Sequence, residues 1–237
     1  MQPLALASVV VYLGLLAARH AGYGDSPAFD NVAFALEVAL DLQVIALAVQ
    51  VARVEDERAP TGRWVAGSFL ATLISTSNFR LLQHVWAVKL KETMGTWLEL
   101  EINVPYVACY ALGAVALWRL ARSRGAAAAL AAAALAGALA FLGPGLRASG
   151  YPAQNQVLHL MCFAVSALVV GAAGVVLATG DAGPRLLAAG YIGLAVSGFL
   201  FQVTEIHPGR YALDTAMDLT WTLGQLAAVA ALLKLRA

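Results

Sequence analysis

Charge is what this 237-residue chain has least of. Only 12% of its residues are Asp, Glu, Lys or Arg, against about 25% in an ordinary water-soluble domain. The net charge of +1 and the absence of a charged tail argue against nucleic acid as a partner. Cysteine is nearly missing too: Cys109 and Cys162 are the only two, both inside apolar stretches. No Cys-x-x-Cys occurs, which removes thiol redox, zinc-ribbon and c-type haem chemistry; both thiols read as small apolar filler. Lys89, Lys91 and Lys234 all lie near segment ends, so no mid-helix lysine exists to form a retinal-type Schiff base. Walker, dinucleotide-glycine and His-Glu-x-x-His patterns are absent as well. The first 18 residues hold no Lys or Arg, so the basic region of a signal peptide is missing and the stretch reads as a short first helix.

What is abundant is apolar length. Hydrophobic residues make up 61% of the chain, and apolar runs recur over residues 3–19, 31–53, 64–88, 96–120, 125–144, 156–179, 184–204 and 211–235. A hydrocarbon core of about 30 Å needs roughly 20 residues at 1.5 Å each. Backbone amides must be paired inside lipid, and no barrel-type alternation is present. The expected fold is therefore all-α: one polytopic bundle of about eight transmembrane helices, with a seven-helix core plus the short N-terminal helix. Gly143-Pro144-Gly145 and Gly180 to Pro184 read as breaks between segments.

Counting Lys and Arg loop by loop gives nine on one side and six on the other, which favours both termini inside. An Ala- and Arg-rich chain without glycosylation sequons fits a bacterial inner membrane. In this orientation the acids and histidines gather in the outer half.

Glu37 and Asp41 are four apart and share a helix face, and Asp214 and Asp218 repeat the spacing. Asp41 lies roughly 16 Å into its segment, near mid-membrane. Two carboxylates on one face repel, so they call for a shared proton, a cation or a basic partner. Capping explains residues in a first turn, not Glu37, Asp41 or Asp218; the remaining choice is a buried packing contact or a functional pocket, and intramembrane acids favour the pocket. The third and fourth segments form a hairpin with its turn near 91–95, which sets His84 opposite Glu101 to Asn103 and Arg80 opposite Tyr106. Arg80 and His84, four apart, are candidate partners of Glu101, with Asn78 nearby. His159 reads as a hydrogen-bonded structural residue or a ligand. Trp221, seven after Asp214, shares its face and is a candidate pocket wall.

Phe199-Leu-Phe-Gln-Val-Thr-Glu205, Pro208-Gly209, then Asp214-x-x-x-Asp218, with Ser26-Pro27 and Gly67-Ser-Phe-Leu70, together resemble the alkaline ceramidase-like (CREST-type) seven-helix membrane hydrolases over about a third of the chain. The resemblance implies a seven-helix core around an outer pocket, a lipid hydrolase activity and a bound divalent metal such as zinc. Where that family has His-x-x-x-His on its last helix, this chain has Asp214 and Asp218; where it has an Asp on its third core helix, Glu99 and Glu101 stand. Asp214, Asp218, His84 and His159 are then the candidate metal ligands, and a carboxylate and histidine set with few thiols suits zinc or calcium. In size and in its intramembrane carboxylic acids the chain also resembles the small seven-helix membrane terpene cyclases, which shows that an acid pair such as Glu37 and Asp218 can protonate an apolar substrate without a metal.

These readings converge on an intramembrane enzyme, a lipid hydrolase or an acid-catalysed isoprenoid enzyme, with membrane lipid as partner. Glu37, Asp41 and Asp218 would be its acids, His84 and Glu101 their partners, and Arg80, Asn78 and Trp221 its substrate contacts. A transporter or sensor binding a proton, cation or small ligand is the rival, and a scaffold whose acids bridge helices is the third reading.

Overall fold

The structure is a computed structural model that describes residues 2–23, 27–54, 57–85, 96–206 and 214–236. At several of these positions, including 79–85, 96–103, Glu205, Asp214 and Asp218, the backbone alone is described. Among the described residues the chain forms eight α-helices and no strand: α1 (Gln2–Ala18), α2 (Pro27–Ala52), α3 (Ala59–Val85), α4 (Thr96–Leu120), α5 (Arg124–Ala148), α6 (Ala153–Thr179), α7 (Ala182–Ile206) and α8 (Asp214–Arg236). A π-helical turn, Arg19–Tyr23, follows α1 and kinks at Gly22, whose φ of 89° only glycine adopts freely.

Asn31–Ala52, Arg124–Ala148, Ala153–Thr179 and Ala182–Thr204 are long and apolar enough to cross a membrane, and Leu6–Ala18 and Val104–Leu120 are shorter apolar helices. The outside of the bundle is apolar as well. Leu6, Val10, Leu13 and Phe141 are all more than half exposed, a surface that suits lipid and not water.

Six helices close a ring in the order α2, α3, α4, α6, α7, α8, with α8 returning to α2. α1 lies against α2 outside the ring, and α5 lies against α6. The seven-helix core expected from the sequence is thus six helices with two flankers. Leu40, Val44, Leu47, Phe69, Tyr110, Leu117, Leu187 and Tyr191 fill the centre. A second cluster, Leu142, Leu146, Phe163, Val203 and Ile206, seats α5 on α6 and α7.

Glycines set how closely the helices approach. A Cβ on Gly224 of α8 would lie 2.7 Å from the Gly190 carbonyl oxygen of α7, and one on Gly190 would lie 2.8 Å from that of Gly224. This is the small-residue packing that lets membrane helices meet backbone to backbone.

Two local expectations are corrected. Gly143-Pro144-Gly145 does not end a helix: α5 runs through Pro144 to Ala148. Proline there removes one backbone donor near the last turn, a loss that membrane helices accommodate. The helix stops instead where Ser149 caps Leu146 through its hydroxyl at 2.7 Å and Gly150 takes φ 72°. The α3–α4 register is also shifted. A turn at 91–95 would set Cys109 opposite Ser77, but Cys109 sits against Ser68 and Thr72. The turn itself lies outside the described residues.

Candidate functional site

Asp41 is the most deeply placed acid of the described residues. Both it and Gln225 are 0% exposed, α2 and α8 being neighbours in the ring. Gln225 Nε2 donates to Asp41 Oδ1 at 2.7 Å and lies 3.4 Å from the Glu37 carbonyl oxygen. The partner is a neutral amide, where the sequence called for a proton, a cation or a base. Asp41 Oδ2 and Gln225 Oε1 find no hydrogen-bond partner among the described residues. Glu37, half-buried, stands one turn before Asp41 on α2. Two turns before Gln225, on the same helix, comes Asp218; its side chain lies outside the described residues, as do those of Asp214, Arg80, His84 and Glu101. Whether Arg80 or His84 pairs with Glu101 therefore also falls outside them.

A second polar string crosses the ring. Tyr110 OH donates to the Leu194 carbonyl of α7 at 2.6 Å, and Tyr106 OH meets Tyr110 OH at 2.8 Å. Trp221 of α8 stacks over Tyr106 with ring centroids 6.3 Å apart. This places Trp221 one turn after Asp218 and against the tyrosine pair. Cys109, expected as filler, is buried and hydrogen-bonded: Thr72 donates to its Sγ at 2.8 Å and Ser68 to its carbonyl oxygen at 2.8 Å.

Between the ring and α5 lies a cavity of about 310 Å³, walled by α4, α5, α6 and α7. Its surface is almost entirely apolar, with Ala134, Phe163, Ala167, Val170 and Phe199 among the lining. Tyr106, Cys162, Ser166 and Gln202 supply its few polar atoms. Exposed Gly137 on α5 and Val196 on α7 belong to the wall, so the cavity opens sideways between those helices. Gly198 makes room for Tyr106 at its edge, because a Cβ there would run into the Tyr106 hydroxyl. A space of this size and lining accepts an apolar chain with one or two hydrogen-bonding groups.

His159 sits at the margin of this region. Its Nδ1 is joined to Gln202 Oε1, and its ring stacks on Tyr151 at 5.3 Å. The bond ties α6 to α7. Among the described residues no three His, Cys, Asp or Glu side chains gather as a metal site. Of the expected ligand set only the His159 side chain is described, and its bond to Gln202 engages Nδ1 and not Nε2. Asn78 is half-buried on α3 and does not line the cavity.

Gln202, Gln225, Tyr106 and Tyr110 are the residues that sequence reasoning undervalued. Intramembrane amides were the available signal: Gln202 and Gln225 both stand within apolar runs. No protein-family model, curated protein or solved structure matches the chain.

Proposed function

We propose that the protein is an intramembrane enzyme whose substrate is a lipid or isoprenoid, taken into the bundle from the side. The observation that carries the proposal is the apolar cavity between the ring and α5, open laterally between α5 and α7. In this reading all eight helices span the bilayer, with both termini on the cytoplasmic side of a bacterial inner membrane. The substrate's apolar part occupies the cavity and its reacting end points toward Tyr106 and Trp221, beyond which α8 carries Asp218. Glu37, Asp41 and Asp218 supply acid and base from α2 and α8, a role for which carboxyl groups need no metal. The ceramidase-like pattern supports the lipid substrate, and no step is assigned to a metal.

The test has two parts. Gly137→Trp projects a large ring from a position where an added Cβ meets nothing within 4 Å, so it fills the cavity with little strain. Lipid extracted from the purified protein should be depleted in this variant, and Asp41→Asn should retain the lipid. Incubated with extracted membrane lipids and followed by mass spectrometry, the wild type should form products that Asp41→Asn does not. Equal lipid in wild type and Gly137→Trp would overturn the cavity. Retained lipid with no product formation by the wild type would overturn the enzyme. It would favour the rival reading, a sensor or transporter, for which the unsatisfied Asp41 Oδ2 is the supporting observation.

A further inference from the structure

The end of the bundle where α4 and α8 finish and α7 begins carries a larger cavity, about 590 Å³, where four chain segments meet. Arg58 comes from the α2–α3 turn, Arg119 from the last turn of α4, Arg122 from the α4–α5 link and Lys234 from the last turn of α8. Glu57 and Asp181 are the acids of the same wall, leaving the lining with two net positive charges. Arg58 is fixed in place, since its Nη1 donates to the Leu235 carbonyl oxygen at 2.8 Å. Arg119, Arg122 and Lys234 form no ion pair among the described residues.

We propose that this cavity binds a phosphate-bearing anion at the membrane surface, either the phosphodiester headgroup of an anionic lipid or a soluble phosphate. Arginine's planar fork suits phosphate oxygens in pairs, and lysine adds a point charge. Orientation of the chain in the membrane explains an excess of basic residues on this side but not their convergence on one concavity. Arg53, Arg63, Arg124, Arg185 and Arg236 contribute to that excess without lining it. The cavity is far from the acids of α2 and α8 that the proposed reaction uses, so this site stands independently of that reaction.

The test compares binding of phosphatidylglycerol, phosphatidylcholine and inorganic pyrophosphate to the detergent-purified full chain, by native mass spectrometry and by thermal shift. Phosphatidylglycerol or pyrophosphate should bind and stabilise the wild type where phosphatidylcholine does not. Arg119→Gln with Arg122→Gln should weaken that binding on the order of tenfold or more, as expected for losing charge-assisted contacts. Both side chains are exposed, and Arg53→Gln with Arg63→Gln removes the same charge from exposed positions outside the cavity. Selective phosphatidylglycerol binding identifies the lipid headgroup; displacement by pyrophosphate identifies the soluble anion. No preference over phosphatidylcholine for either probe would overturn the site. So would equal weakening by the Arg53 and Arg63 pair, or none by the Arg119 and Arg122 pair.

Discussion

Replacing Gln225 by Leu isolates what holds α2 to α8 at the level of Asp41. Leu matches Gln in bulk but cannot donate, so the 2.7 Å bond to Asp41 Oδ1 is lost. Asp41 Oδ2 already has no partner among the described residues, so the carboxyl group then keeps no described hydrogen bond at all. Leaving a buried polar group unsatisfied costs about 1–3 kcal/mol. Interhelical bonds in membranes fall at the lower end, averaging about 0.6 and reaching about 1.7 kcal/mol. A loss of about 1–2 kcal/mol corresponds to roughly 2–8 °C in melting temperature for a chain of this size. Asp41→Leu in the same molecule removes the orphaned group, so the double variant should melt above Gln225→Leu. The cycle of wild type, two singles and double, followed by thermal unfolding in detergent, yields the coupling directly. An unchanged melting temperature for Gln225→Leu would refute the argument. A double variant less stable than Gln225→Leu would refute it too, because the two side chains would then contribute independently.

Gly224→Ala should destabilise by about 1–3 kcal/mol through overpacking against Gly190, whereas Gly137→Ala, with open space around it, should be neutral or stabilising by up to about 1 kcal/mol; parallel melts distinguish them. Tyr110→Phe loses its bonds to Leu194 and Tyr106 and should cost about 1–2 kcal/mol, while altering the fluorescence of Trp221 through the adjoining Tyr106 ring. Arg58→Gln frees the Leu235 carbonyl and should speed amide hydrogen exchange in the last turn of α8 with little change in global stability.

Segment number and order were legible because apolar length is the dominant signal in a membrane sequence. Each of the eight apolar runs corresponds to a helix, with ends displaced by a few residues. Ring and flanks were not legible. A helix such as α5, nearly all Ala, Leu and Gly, shows lipid and protein equally apolar faces, so no periodicity says which side packs. Pro144 misled because a proline that ends a helix in water is tolerated inside an apolar bundle. Asp41 was legible from its depth alone. Its partner was not, since an amide pairs with almost any neighbour and Gln225 lies 184 residues away. The thiol of Cys109 was read from its residue type, yet its bond from Thr72 depends on a hairpin register that turn composition did not define.

The bond between Asp41 and Gln225 also sets a clock on biogenesis. With the two 184 positions apart and synthesis at about 5–20 residues per second, Asp41 is made roughly 10–40 s before Gln225. Throughout that interval the newborn helix carries an acid whose amide partner does not yet exist, and the ring has no closing member. A ribosome that stalls before α8 leaves behind an open bundle whose α2 still carries that acid without its amide.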